Sequence, residues 1–215
     1  MGAIARNAAN NITTAGVFTS GAITNTSVTG ITVLANASDG ITLISSQTAS
    51  NSASLSFTTG INSTYKAYKF VFVDINPATD SANFQFNMST DSGSNYNVTK
   101  TSSAFWVYHD EADTETELAY QTGRDLAQST GFQTINGSAG NGADESTVGS
   151  MILFNPSSTT YVKHYISTTN CYEQGNYTMG VFIGGYGNTT SAINAVRFQM
   201  TSGNFDGTIY LYGIK

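Results

Sequence analysis

"YKFVFV", residues 68–73, is a run of aromatic and β-branched side chains broken by a single lysine. Read at the strand period of two, it sets Tyr68, Phe70 and Phe72 on one face and Lys69, Val71 and Val73 on the other. Apolar character on both faces predicts a central strand covered on both sides. Outward along the chain, "NFQFNMS" (83–89) turns Phe84, Phe86 and Met88 one way and Gln85 and Asn87 the other. "VRFQM" (196–200) does the same with Val196, Phe198 and Met200 against Arg197 and Gln199. "SLSFTT", "SAFWVYH", "LAYQT", "SMILF", "TYVKHYIST", "TMGVFIGG" and "GTIYLYGI" complete about ten strand candidates. They are joined by turn-rich segments, among them "DSGSN", "NGSAGNGADES" and "NPSS". No window holds a helical period. Many short strands without intervening helices predict an all-β chain, an antiparallel β-sandwich or jelly roll.

Composition narrows the partners. Of the 215 residues 40% are hydrophobic and only 10% charged, and the net charge is −6 with eight Lys plus Arg. A nucleic-acid binder needs a basic stripe to displace counterions, so nucleic acid is excluded as a partner. The longest apolar runs fall far short of the ~20 residues of a membrane span. "MGAIARNAANNITT" has no continuous apolar core or cleavage site, so it does not read as a secretion signal. Arg6 spoils a myristoylation motif. Cys171 is the single cysteine, which leaves neither an internal disulfide nor a thiolate zinc site and fits synthesis in a reducing cytoplasm.

Charge also divides the chain. Residues 1–65 hold two charged side chains, Arg6 and Asp39, and all the others follow. Gly16, Gly21, Gly30 and Gly40 cut the opening into pieces dominated by Thr, Val and Ile, and "GITVL" (30–34) is echoed by "GITLI" (40–44). Such pieces favour extended strands. Disorder is disfavoured by the low charge and the many aliphatics. Strands belonging to the same monomeric domain are one reading. The reading adopted is an extended, uncharged arm over residues 1–48, followed by a β-sandwich domain over 49–215. Alone the arm has too few apolar residues to close a core, so Ile12, Val17, Phe18, Ile23, Val28, Ile31 and Val33 are expected to bury against another chain.

Chemistry is sparse. "YHDEADTETEL" (108–118) concentrates Asp110, Glu111, Asp113, Glu115 and Glu117, which would line one face of a strand or cluster in a loop of hard oxygen ligands. It lacks the spacing of an EF-hand, and a solvated acidic loop is the simpler reading. His109 and His164 lie far apart, each beside a tyrosine, and make no metal set by themselves. No particular carboxylate pair stands out for glycoside hydrolysis, and no G-x-S-x-G elbow occurs. No catalytic residue, metal or cofactor is therefore expected. Twelve Tyr, twelve Phe and Trp106 supply rings. Most Phe fall at inward strand positions, whereas Tyr96, Tyr172, Tyr177 and Tyr186 lie in or near loops, where they could stack on sugars or simply pack at strand edges.

"NFQFNMSTDSGSNYN" (83–97), "LFNPSSTTYVKHYIST" (153–168) and "TTSAINAVRFQMTSGNFDGTIYLYGIK" (189–215) resemble virion structural proteins of marine tailed bacteriophages, small tail-fibre-like or decoration proteins. The likeness runs the whole length, from the uncharged arm through "ISSQTASNSASLSFTTGINSTY" to the sandwich. It implies a non-enzymatic particle protein made in the host cytoplasm, assembling in symmetric copies, commonly trimers. Two roles stay open: a fibre-type attachment subunit whose sandwich meets a host-surface glycan or protein, and a capsid decoration protein whose arm clamps the shell; a third, a polysaccharide-cleaving enzyme, is less favoured.

Overall fold

The computed structural model describes residues 40–215, and among these the chain forms thirteen strands and no α-helix. The first seven are β1 (Ile41–Ser52), β2 (Ser54–Phe57), β3 (Ala67–Pro77), β4 (Phe84–Ser89), β5 (Lys100–Asp110), β6 (Thr116–Tyr120) and β7 (Leu126–Ser129). Then come β8 (Gln133–Thr134), β9 (Thr147–Phe154), β10 (Lys163–Glu173), β11 (Tyr177–Gly187), β12 (Ala195–Met200) and β13 (Phe205–Ile214). Two antiparallel sheets pack together as a sandwich. The larger has nine strands in the order β1-β13-β3-β9-β10-β11-β5-β6, with β7 also paired to β5. The smaller runs β2-β12-β4-β8.

The expected alternation builds the core. Tyr68, Phe70 and Phe72 of β3 face Phe84, Phe86 and Met88 of β4 and Val196, Phe198 and Met200 of β12, all of them buried. Phe198 is the hub: its ring meets those of Phe57, Phe70, Phe72, Phe84 and Phe86 at centroid distances of 5.1–6.2 Å. The outer side of the small sheet is a polar ladder in which Arg197 stands opposite both Ser56 and Asn87, and Gln199 opposite Ser54 and Gln85. Asn87 on that ladder is fully buried, its Nδ2 donating to the carbonyls of Tyr96 (2.7 Å) and Thr130 (2.9 Å). The outer side of β3 is different. Val71 is half-buried and Val73 is 36% exposed, so among the described residues the second cover expected for this strand is missing.

Two segments depart from the sequence reading. Residues 41–48, assigned above to the arm, run in β1, where Ile41, Leu43, Ser46 and Thr48 pair with Ile214, Tyr212, Tyr210 and Thr208 of β13. The edge of β13 supplies the partner groups that this Ser- and Thr-rich stretch needs, whatever its lack of apolar alternation. The remaining arm positions, Ile12, Val17, Phe18, Ile23, Val28, Ile31 and Val33, lie outside the described residues. "NGSAGNGADES" (136–146), read as a surface linker, begins in the interior: Asn136 and Ala139 are fully buried, as is Ile135 just before them. Asn136 Oδ1 accepts from Phe84 N at 2.6 Å, its Nδ2 reaches Thr147 Oγ1 at 3.1 Å, and Phe84 O accepts from Ile135 N at 2.9 Å.

The registers give the large sheet two distinct ends. At the near end Ile41, Ile214, Ala67 and Phe154 lie in one cross-strand row, and Lys163, Gly187 and Lys100 in another. At the far end Thr147, Cys171, Met179, Tyr108 and Glu117 align. Strands of eleven residues separate the ends by roughly 30 Å or a little more. Two buried lysines mark the near end. Lys163 Nζ donates to the carbonyls of Ser158 (2.6 Å), Tyr161 (2.6 Å) and Thr189 (3.4 Å), three acceptors for the three protons of an ammonium. Lys100 Nζ is given two, Asn87 Oδ1 at 2.6 Å and Val98 O at 2.8 Å, and burial pushes it down to about 7.

Candidate binding site at the far end

Strand β5 ends in the acidic segment, and Asp110 makes its turn. Its carboxylate accepts from Thr114 N (2.8 Å), Glu115 N (2.8 Å) and Thr114 Oγ1 (2.5 Å), and the hydroxyl bond foremost holds it at about 2. Asp110 is thereby a staple for the hairpin, with its oxygens already engaged. His109 Nε2 sits 3.0 Å from Asp113 Oδ1 at the same turn. The chain returns in β6 with Glu117 opposite Tyr108, so that Glu115 and Glu117 share the inner side of the sheet with Trp106 and Tyr108. The acids thus do both things the spacing allowed: some line a strand face and some form a loop.

Strand β11 brings Tyr177 opposite Asp110, beside the same surface. Tyr177 Oη donates to Glu115 Oε2 at 2.9 Å and Trp106 Nε1 donates to Glu117 Oε2 at 3.0 Å. The Tyr108 ring stands edge-on to both neighbours, 6.1 Å from Trp106 at 79° and 5.3 Å from Tyr177 at 88°. These rings, with Glu115 and Glu173 and with Met179 beneath, enclose a recess of about 200 Å³. Burial first, then Glu117 and Glu115, push the Tyr108 phenol up, and the bond to Glu115 pushes Tyr177 up, so both hydroxyls stay protonated donors. The Arg124 guanidinium lies 5.0 Å from the Trp106 centroid, and its buried Nε has no hydrogen-bond partner among the described residues. A wider cleft of about 480 Å³ adjoins, lined by His109, Asp110, Asn170, Tyr172, Tyr177 and Thr178. Tyr172 Oη there donates to Asn176 Oδ1 at 3.0 Å.

Ring faces, carboxylate acceptors and phenol donors are the groups that hold a polyhydroxylated ligand: its C–H faces stack, and its hydroxyls both give and accept. Of the loop tyrosines, Tyr172 and Tyr177 meet here. Tyr96 instead lies under Arg197, 4.1 Å from ring centroid to guanidinium, and Tyr186 packs against His164 at 6.0 Å near the other end of the sheet. His109 and His164 are therefore not neighbours. Among the described residues no group of three or more His, Cys, Asp or Glu lies together as a metal set would. Cys171 is buried, and burial pushes its thiol up to about 11, far from a nucleophilic thiolate. Sequence reasoning missed Trp106, Tyr108, Arg124 and Glu173 as site residues. The Tyr108–Glu117 alternation across a hairpin was the signal available for the first two. Comparison with protein-family models, with curated proteins and with solved structures finds no match for this chain.

Proposed function

We propose that the protein is a structural subunit of a bacteriophage particle, a fibre-type attachment protein anchored through its N-terminal arm, whose sandwich meets a glycan on the host surface. One observation carries this reading: the chain enters the sandwich at Ile41, at the near end, while the recess of Trp106, Tyr108 and Tyr177 opens at the far end. A subunit held at one end and presenting rings and hydroxyl-binding groups at the other is built to bridge a particle and a surface. The resemblance of residues 83–97, 153–168 and 189–215 to phage virion proteins supports the same assignment, and with it assembly in copies, a trimer being the first choice. No enzymatic step is proposed. Separate Ala substitutions of His109, Asp110, Glu111 and His164 are expected to create no enzymatic phenotype, and release of oligosaccharide from host envelope material would overturn that.

The test has two arms. Labelling particles with antibody should decorate fibre tips, and the purified protein should bind host envelope polysaccharide and block adsorption, both lost in Tyr177→Ala with folding retained. Label on the head shell, without glycan binding, establishes the alternative role of capsid decoration protein.

A further inference from the structure

We propose that the outer face of the nine-stranded sheet is an interface between copies of this chain, an inference that rests on the reading of a self-assembling subunit and names the surface it uses. A solvated face of an antiparallel sheet should be polar, as the outer ladder of the small sheet is. The large sheet instead exposes several large apolar side chains there, set among Ser, Thr and Asn. One continuous cross-strand row reads Val71, Ser150, Thr168, Phe182, Phe105, Tyr120. The next pairs Val107 with Leu118, and on the other side Ile152 stands opposite Ile166. Leu118 is 71% exposed, Val107 51%, and Phe105 and Ile166 42% each. Lys69, opposite Ile152 and Tyr212, is the one Lys, Arg, Asp or Glu on these rows.

The occupant follows from charge and extent. A face with almost no fixed charge meets its own copy without like-charge repulsion, and interfaces between copies are more apolar than those with transient partners. Phe105 and Phe182 stack at 4.9 Å and 22° into an aromatic ridge, with the Phe182 ring lying over Gly184 and Val107 over Gly180. Eight strands about 4.8 Å apart, each contributing ~25 Å of length, present on the order of 800 Å², the share each partner gives to a standard stable interface.

The experiment is sedimentation velocity on the full chain, unaltered and as Val107→Glu/Ile166→Glu. Both residues are exposed, so the pair should leave circular dichroism and melting intact. The unaltered chain is expected at a multiple of 22.7 kDa and the variant at 22.7 kDa. If the variant keeps the oligomeric mass, copies meet elsewhere: this surface is refuted while the self-assembly reading stands. If the unaltered chain is a monomer, both fall. Radical footprinting of the unaltered oligomer is the second measurement, independent of any variant's folding. Phe105, Leu118 and Tyr120 should be shielded, and full labelling there overturns the proposal. Shielding in a monomer, as residues 1–39 of the same chain would produce, overturns it equally.

Discussion

Lys100 Nζ donates to Asn87 Oδ1 over 2.6 Å in a site closed to solvent, and the Val98 carbonyl at 2.8 Å is its other acceptor. Two acceptors suit the two N–H donors of a neutral amine. With the folded value near 7 and the ordinary value at 10.5, the unfolded chain binds the extra proton between them. Stability should therefore rise with pH from about 7 to about 10.5 and be insensitive to this group below 7, the full rise being on the order of 5 kcal/mol. Urea denaturation across that range checks it. Lys100→Met should flatten the slope whatever it does to the absolute stability.

Removing the aromatic hub should be costly. Phe198→Ala takes away ring contacts to both sheets in a fully buried position, and a loss of about 3–5 kcal/mol is expected in chemical denaturation. A loss below about 1 kcal/mol would mean that the two sheets are not held together at this residue.

Gly207 has a φ of +126° at the irregularity between Asp206 and Thr208, where a Cβ would lie 2.6 Å from Asp74 O and 2.9 Å from Ile75 Cα. Both obstacles are backbone and cannot step aside. Gly207→Ala should cost about 1–3 kcal/mol, whereas Gly123→Ala, with nothing near its Cβ, should change melting little.

The pairing of β1 with β13 places residues 41–48 within the sandwich. A chain beginning at Gly40 should melt cooperatively. One beginning at Ala53 loses β1 and bares the β13 edge, so it should aggregate on heating or concentration, as light scattering would show.

Trp106 is the single tryptophan, and it lies in the recess. If the proposed glycan binds in this recess, intrinsic fluorescence should shift on titration with host envelope polysaccharide, and Arg124→Ala, which removes the guanidinium lying against Trp106, should alter that response. An unaltered emission spectrum at saturation would place the glycan elsewhere.

The inner faces of β3, β4 and β12 were legible because strict alternation of large apolar side chains is the signature of burial on one side. β1 was not, because "SSQTASNS" (45–52) carries hydroxyls and amides at nearly every position and is held by backbone pairing and by side-chain bonds such as Gln47 Nε2 to Ser56 O, with Ala49 alone of these residues in the apolar core. The buried run around Asn136 was hidden for a related reason, since its interior position is set by hydrogen bonds and small residues rather than by apolar mass. At the site, Glu115 and Glu117 could be seen to share a face, but Arg124 and Glu173 reach it from separate strands and turns, a proximity that no local spacing encodes. The apolar outer face was visible in Val71 and Val73, and was read there as the mark of a strand covered twice.

The adjacency of Ile41 and Ile214 has a mechanical side. In the attachment role proposed above, drag on a tethered particle would run from Gly40 to a ligand at Tyr177, lengthwise along the strands. β1 is then pulled past β13 with its nine paired positions stretched together, so the joint yields only when many hydrogen bonds fail at once. Pulled instead between Gly40 and Lys215, the same two strands would open pair by pair, like a zipper, at much lower force. Optical-tweezer traces with handles at these two pairs of points should differ accordingly, with the high rupture force along the axis that joins anchor to ligand.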